Sequence, residues 1–160
     1  MIIYKNFLDS TFFNLLYNSV NSNVFPWFYR DRFIRGKKSP PYFTHSFYNQ
    51  KANSSGYESL IKPILEKLNY KKVIEVRANM ILKYSKHFQS AFHTDYKDCK
   101  TAILYLNNCN GYTVVDNKKI KCERNKIVIF DSNTLHSGVS QTDKDKRMVI
   151  NINYYDSIYD

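Results

Sequence analysis

The chain has 160 residues, of which 43% are hydrophobic and 16% aromatic, and this predicts a single globular domain over residues 1–160 that can bury a core. A formal net charge of +10 fits an acidic partner such as nucleic acid, but bare charge argues only for non-specific attraction, and we favour a lysine-rich solvated surface as its explanation. The start of the chain lacks a signal-peptide pattern and no apolar run is long enough to cross a bilayer, so we expect no membrane partner.

The three cysteines are Cys99, Cys109 and Cys122. They are odd in number and show no CxxC spacing, so neither a disulfide framework nor a zinc site is indicated. We expect reduced thiols in a cytoplasmic protein, within the host cytoplasm if a phage encodes the chain.

The first helix is predicted from Asp9 and Ser10, which can cap it, to about Val20. Its apolar stripe is expected to be core and consists of Phe12, Phe13, Leu15, Leu16 and Val20. Residues 25–29 follow as a predicted edge strand, because Pro26 has no N–H to donate to a strand neighbour. Residues 42–48 alternate as a further strand that contains His45, which we interpret as a packed or surface residue outside the site, with contact to a substrate as the alternative.

A basic loop over residues 30–38 separates these two strands. It is interpreted as a solvated loop, with the alternative of a rim that meets an anionic or peptide substrate. A second helix is predicted after Ser54, Ser55 and Gly56, with the regular part beginning or bending near Pro63. Its apolar stripe is expected to be core and consists of Leu60, Ile61, Ile64, Leu65 and Leu68.

From residue 72 onwards the sequence predicts strands at residues 73–84, 101–107, 111–115, 120–122, 127–131 and 147–155, with a turn at Asp116 and Asn117. Two helices followed by short strands indicate helices packed on one side of a sandwich or barrel, a mainly β fold with flanking helices.

Three side chains in this half are candidate ligands of one metal ion. His93 and Asp95 are two positions apart, so in an extended segment both side chains point to the same face. His136 follows the strand predicted at residues 127–131 and would complete the set. Two imidazoles and one carboxylate leave coordination positions open, which suits non-haem Fe(II) that also binds a cosubstrate and O2.

The motifs FHTD (92–95), AILYLN (102–107), NGYT (110–113) and LHSG (135–138), followed by Arg147 and its strand, occur in one order at one set of spacings. This succession resembles the 2-oxoglutarate- and Fe(II)-dependent oxygenases, and within them the prolyl-4-hydroxylase-like branch, including small versions carried by bacteriophages. The resemblance implies a double-stranded β-helix, or jelly roll, with a core at about residues 72–155. Asn110 stands where many members have glycine, and we expect the turn to survive because Asn tolerates left-handed backbone.

Residue by residue, the resemblance implies that His93, Asp95 and His136 ligate iron. Arg147 would pair with the remote carboxylate of 2-oxoglutarate, which makes these four the implied catalytic set. Four further residues match the cosubstrate pocket: Tyr105, Tyr84, Thr113 and Asn79. Ascorbate is implied as a possible stimulant of turnover.

The implied reaction is hydroxylation of an unactivated C–H bond with release of succinate and CO2. The favoured substrate is a protein or peptide side chain such as proline. Two alternatives stay open: an oxygenase of a nucleic-acid base or small metabolite, and a metal-binding barrel that recognises a partner without turnover.

Overall fold

A computed structural model describes residues 1–31 and 40–156. Its elements in chain order are β1 (Ile2–Tyr4), α1 (Ser10–Asn21), β2 (Phe28–Arg30), β3 (Tyr42–Asn49), a π-helical turn (Tyr57–Ile61), α2 (Lys62–Lys67), β4 (Lys72–Leu82), β5 (Lys100–Tyr105), β6 (Tyr112–Val115), β7 (Lys118–Lys121), β8 (Lys126–Asp131), β9 (His136–Val139) and β10 (Lys146–Tyr155). Most of the predicted basic loop, its residues 32–38, lies outside the described residues.

The strands form two antiparallel sheets, which confirms the predicted mainly β jelly roll with flanking helices. The larger sheet has the order β1-β8-β5-β10-β4-β3-β2, and the smaller has the order β7-β6-β9. The long alternating segments β4 and β10 pair along most of their length at the centre of the larger sheet. The predicted edge position of residues 25–29 is confirmed, although the strand itself begins only at Phe28.

Both helices pack on one face of the larger sheet. Asp9 caps α1 by accepting a hydrogen bond from the N–H of Phe12 at 2.9 Å. The buried residues of α1 are Phe13, Leu16 and Val20, whereas Leu15 is 54% exposed, so its prediction as core is wrong. Leu15 lies about 100° around the helix from Leu16, outside the narrow stripe that meets the sheet. Neither helix in residues 1–31 and 40–156 has the length and hydropathy needed to span a membrane.

The second helical segment is irregular near Pro63, as predicted. The π-helical turn precedes α2, and Pro63 lies in the first turn of α2, where a missing N–H costs no intrahelical hydrogen bond. The turn between β6 and β7 places Asp116 and Asn117 at φ 47° and 60°, and this left-handed pair makes the tight hairpin that was predicted there.

Two buried clusters lie on opposite faces of the larger sheet. The helix-side cluster contains residues from both helices together with alternate residues of the central strands, such as Leu104, Met148 and Ile150. The second cluster lies between the two sheets and includes Tyr105, Val128 and Val149. The space between the sheets is therefore where side chains from both can meet.

Candidate metal centre

His93 and His136 are brought together by the backbone. The N–H of each residue donates to the carbonyl of the other at 3.0 Å, so the two residues lie directly opposite each other. Their ring centroids are 4.3 Å apart. His136 opens β9, a strand that the sequence did not predict, and is not a continuation of β8. This bridge closes one end of the space between the sheets.

The hydrogen bonds of the two imidazoles leave their Nε2 atoms as lone-pair donors. Nδ1 of His93 lies 3.0 Å from the carbonyl oxygen of Ala91, and Nδ1 of His136 lies 3.0 Å from that of Thr134. A carbonyl only accepts, so each Nδ1 carries the hydrogen and each Nε2 is free to bind a cation. Burial lowers the pKa of His136, which favours the neutral form that metal binding requires.

Asp95 completes the cluster, with Oδ1 at 3.9 Å from Nε2 of His93 and 3.6 Å from Nε2 of His136. One ligand atom from each of the three residues lies within 4.8 Å of the others, a spacing that a single ion can bridge. The other carboxylate oxygen, Oδ2, lies 3.1 Å from the hydroxyl oxygen of Thr101, which also lies 2.8 Å from the side-chain oxygen of Asn153. That hydroxyl has one hydrogen, so it donates to one of the two oxygens at a time.

One observation tests directly whether this donor set suits a cation. Nε2 of His136 is buried and has no hydrogen-bond partner in the part of the chain that the structure describes. A buried polar atom without a partner costs free energy, so such atoms are rare in folded proteins. The set of two imidazoles and one carboxylate to which this atom belongs matches the ligand chemistry of non-haem Fe(II).

Arg147 is a buried cation in the same space. Arg147 is only 4% exposed. Its guanidinium donates through Nη2 to the hydroxyl oxygen of Thr113 at 3.0 Å. The Tyr105 hydroxyl donates to the same oxygen at 2.7 Å. Burial raises the pKa of Tyr105 to about 12, so it remains a donor. Nε of Arg147 is buried without a hydrogen-bond partner among residues 1–31 and 40–156.

Thr113 receives both of these hydrogen bonds on its oxygen lone pairs. A hydroxyl has two lone pairs and one hydrogen, so the Thr113 hydrogen is left to donate elsewhere. Together with the unpartnered Nε of Arg147, it offers donors to an anion in the pocket.

Gly111 makes room for Arg147. A Cβ at position 111 would lie 2.9 Å from Cδ of Arg147 and 2.9 Å from the carbonyl oxygen of Val139. Asn110 is not among the positive-φ residues of the described chain, so its position does not use the left-handed backbone that Asn tolerates. Asn110 is instead held by side chains: its N–H donates to Asp143, and its side-chain amide exchanges hydrogen bonds with Thr142.

One pocket joins the metal-capable cluster to Arg147. The residues that line it are Asn79, Ile81, Ser90, His93, Ile103, Thr113, His136, Gly138, Arg147, Val149 and Asn151. The predicted residues Asn79 and Thr113 are among them. The sequence interpretation missed Asn151, although its two-residue spacing from Val149 on an alternating strand was a usable signal.

The two predicted tyrosines lie outside this lining. Tyr105 is fully buried behind Thr113, so it supports the pocket from the second cluster. Tyr84 does not lie on the strand before the HxD motif, as was predicted, because β4 ends at Leu82. It is a half-buried residue of the following loop, where burial raises its pKa and Tyr29 is close enough to contribute.

No protein-family model matches the chain, and no curated protein matches its sequence. Solved structures do match its fold. An oxidoreductase of the 2OG-Fe(II) oxygenase family from Burkholderia pseudomallei superposes with a TM-score of 0.70 at 11% identity, over 98% of this chain and 85% of that one. The carbocyclase SnoK of nogalamycin biosynthesis, described as α-ketoglutarate dependent, gives 0.68 at 11% identity, over 99% and 83%.

A third match is a prolyl hydroxylase from Trichoplax adhaerens in complex with a peptide of hypoxia inducible factor, with a TM-score of 0.65 at 17% identity over 97% of this chain and 83% of that one. At these identities the likeness establishes the jelly-roll fold. What this chain binds and catalyses must be argued from its own residues.

Proposed function

We propose that the protein is a 2-oxoglutarate- and Fe(II)-dependent dioxygenase that hydroxylates an unactivated C–H bond. The observation that carries the proposal is a pair of unpartnered buried nitrogens that belong to residues lining one pocket. They are Nε2 of His136 and Nε of Arg147, each without a hydrogen-bond partner among the described residues. The first suits a metal cation and the second suits an anion, so the pocket is built for an anionic ligand next to a metal.

In this proposal, His93, Asp95 and His136 hold the iron through Nε2, Oδ1 and Nε2. The carboxylate of Asp95 neutralises one of the two positive charges of the ion. When bound, iron together with 2-oxoglutarate supplies the oxidation of the C–H bond by O2, with release of succinate and CO2. The Nδ1 hydrogen bonds to the carbonyl oxygens of Ala91 and Thr134 fix the tautomer and the orientation of both imidazoles, so that each Nε2 faces the ion.

Arg147 and Thr113 bind the remote carboxylate of 2-oxoglutarate. A guanidinium offers parallel donors that match a carboxylate, and the free hydrogen of Thr113 adds another. A charge-assisted hydrogen bond contributes about 1.5–3 kcal/mol, enough to prefer a dicarboxylic keto acid over a monocarboxylic one by a factor of about 10–100. The apolar residues Ile81, Ile103 and Val149 line the same pocket and exclude water around these contacts.

Turnover without a substrate tests the proposal. Purified protein with Fe(II), ascorbate and 2-oxoglutarate should slowly produce succinate, and omission of iron should stop it. A barrel that binds metal and a partner without catalysis would bind iron and form no succinate. Binding of 2-oxoglutarate measured by calorimetry in the presence of Mn(II) separates loss of binding from loss of chemistry.

We further propose, as in the prolyl-4-hydroxylase-like branch, that the substrate is a protein or peptide side chain, most simply proline. Large apolar residues stand beside each metal ligand in the sequence and are exposed: Phe92 at 42%, Tyr96 at 40% and Leu135 at 58%. Exposed aromatic and aliphatic groups favour an apolar peptide segment over a phosphate backbone. The prolyl hydroxylase with the same fold is itself bound to a peptide.

An oxygenase of a nucleic-acid base or a small metabolite is the second candidate. The net charge of +10 favours the nucleic-acid version, and a carbocyclase with the same fold acts in the biosynthesis of a natural product. A screen of peptides and oligonucleotides for gain of one oxygen atom by mass distinguishes these substrates. Affinity for a nucleic acid should fall steeply with salt, whereas affinity for an apolar peptide should change little.

A further inference from the structure

Cys109 and Cys122 face each other where the β6–β7 hairpin begins and ends. The N–H of Cys109 donates to the carbonyl oxygen of Cys122 at 3.3 Å, and the N–H of Cys122 donates to that of Gly111 at 3.2 Å. The first of these bonds, with standard backbone bond lengths, limits the separation of the Cys109 and Cys122 Cα atoms to about 7 Å. A disulfide spans Cα separations of about 4.4–6.8 Å, so the two residues are close enough for one to be considered.

The two thiols are in contact and differ in access. Cys122 is 2% exposed, whereas Cys109 is half-buried and packs on the same cluster between the sheets. The single hydrogen of the Cys122 thiol has two acceptors within reach, the carbonyl oxygen of Asn107 at 3.2 Å and the sulfur of Cys109, with which it is in hydrogen-bond contact. That contact lowers the pKa of Cys109, and with burial it raises the pKa of Cys122. Cys109 is therefore the nucleophile of the pair.

A surface cleft of about 470 Å³ is lined by both cysteine residues. Its charged lining residues are Lys119, Lys121, Glu123, Asp143 and Lys144. Among the nearby charges, the Arg147 guanidinium lowers the pKa of the Cys109 thiol and Asp143 raises it. The cleft gives a small oxidant access to the half-buried Cys109 from solvent. The third cysteine, Cys99, lies at the other end of β5, is 7% exposed, and has its pKa raised by burial.

We propose that Cys109 and Cys122 form a redox modification site that closes to an intramolecular disulfide when a peroxide reaches the cleft. The candidate metal ligands His93, Asp95 and His136 do not line this cleft, and formation of the bond does not depend on the proposed function. Its neighbour Asn107 accepts from the N–H of Met148 at 2.9 Å and donates to the carbonyl of Lys146 at 2.9 Å, so it holds both sides of Arg147. The disulfide would fix the segment against which Arg147 packs.

The disulfide forms in two steps. The Cys109 thiolate attacks one oxygen of hydrogen peroxide, which breaks the O–O bond, releases hydroxide and leaves a sulfenic acid on Cys109. The sulfur of Cys122 then attacks the sulfur of Cys109, the S–O bond breaks, and the departing hydroxide takes up the Cys122 proton as water. Overall, two thiols and one peroxide give one disulfide and two waters.

The test uses the full chain after complete reduction and removal of the reductant. The protein is treated with a small excess of hydrogen peroxide, the remaining thiols are alkylated, and the tryptic peptides are analysed without reduction. Cys109, Cys122 and Cys99 fall in separate peptides, residues 101–118, 122–124 and 98–100. We expect a cross-link between the first two that reductant removes, while the peptide with Cys99 remains alkylated.

Two variants sharpen the result. In Cys122→Ser, a sulfenic acid on Cys109 should persist and be trapped by dimedone, because the resolving thiol is gone. In Cys99→Ser, the cross-link should form at the wild-type rate. Equal loss of all three thiols, a Cys109 disulfide between two chains, or unchanged alkylation of Cys109 and Cys122 after peroxide would each overturn the proposal. The readout is a covalent bond, so failure of the oxygenase proposal leaves it untouched.

Discussion

The two faces of the larger sheet differ in what their side chains achieve, and β10 shows the contrast within one strand. On the helix side it presents apolar residues that belong to the large core cluster, namely Met148, Ile150, Ile152 and Tyr154. On the other side it presents Arg147, Val149, Asn151 and Asn153, of which the first three line the pocket. Successive residues of a strand point to opposite faces, so one segment serves both purposes.

The helix-side face buries apolar side chains against one another, whereas the pocket face buries a polar group that has no protein partner among the described residues. Ile150 is fully buried among aliphatic neighbours, and burial of such a side chain stabilises the fold by about 1.5–3 kcal/mol. The pocket face instead buries a guanidinium whose Nε has no hydrogen-bond partner in the described part of the chain. Stability therefore comes from one face and ligand chemistry from the other, and substitutions on the two faces should have separable effects.

Loss of His136 should have the largest effect on function. We expect His136→Ala to abolish tight iron binding and succinate formation while the fold persists. Only two of the three protein ligands, His93 and Asp95, would remain to hold the ion. Iron binding by calorimetry and succinate formation by mass spectrometry measure these outcomes. His87→Ala is the matched control, since His87 is exposed and bonds only the carbonyl of Ser140 among the described groups. Retained turnover in His136→Ala would remove His136 from the ligand set.

Truncation on the opposite face should affect stability instead. We expect Ile150→Ala to lower the free energy of unfolding by about 2–5 kcal/mol, through lost burial and the cavity that remains. Ile150→Val should cost only about 0.5–1.5 kcal/mol. Urea unfolding gives both values. If the folded fraction of Ile150→Ala bound iron more weakly than the wild type, the proposed separation of the two faces would be wrong.

Removal of the Arg147 guanidinium should weaken the binding of 2-oxoglutarate and leave iron binding unchanged. For Arg147→Ala we expect the concentration of 2-oxoglutarate required for half-maximal succinate formation to rise by about 10- to 100-fold, because a charge-assisted hydrogen bond of about 1.5–3 kcal/mol is lost. Iron binding without 2-oxoglutarate should stay near the wild-type value. Arg147→Lys keeps the charge without the planar fork and should fall between the two. An unchanged requirement in Arg147→Ala would refute the anchor role.

The sequence predicted the parts of the fold that carry a strong local pattern. The alternation in β4, β5 and β10, the Asp9 cap and the Asp116–Asn117 turn each depend on residues close in sequence. The strands β1 and β9 were missed because their pairing is distant or their pattern weak. Ile2 of β1 pairs with Ile129, and the segment HSGV of β9 forms a strand because it pairs with β6 and bridges to His93.

Within the candidate site, too, the features with a local sequence pattern were predicted and those that depend on the fold were not. The two-residue spacing of His93 and Asp95 indicated a shared face without any structure. The proximity of Thr101 to Asp95 was not predicted, because a lone threonine on a strand carries no signal until the fold places its hydroxyl 3.1 Å from Oδ2. The strand predicted at residues 73–84 extends two residues too far, because nothing local in the sequence marks the end of β4 at Leu82.

The smallest predicted effect concerns Thr113, whose oxygen accepts from both Arg147 and Tyr105. Thr113→Val keeps the shape and should raise the 2-oxoglutarate requirement by about 2- to 10-fold, for a net hydrogen bond of about 0.5–1.5 kcal/mol. It should also destabilise the fold by about 1–3 kcal/mol, because the buried Tyr105 hydroxyl loses its acceptor. Adding Tyr105→Phe removes that orphaned hydroxyl, so the double variant should regain stability while the weaker cosubstrate binding remains. If both properties recovered together, Thr113 would act only as packing for Tyr105 and would not contact the ligand.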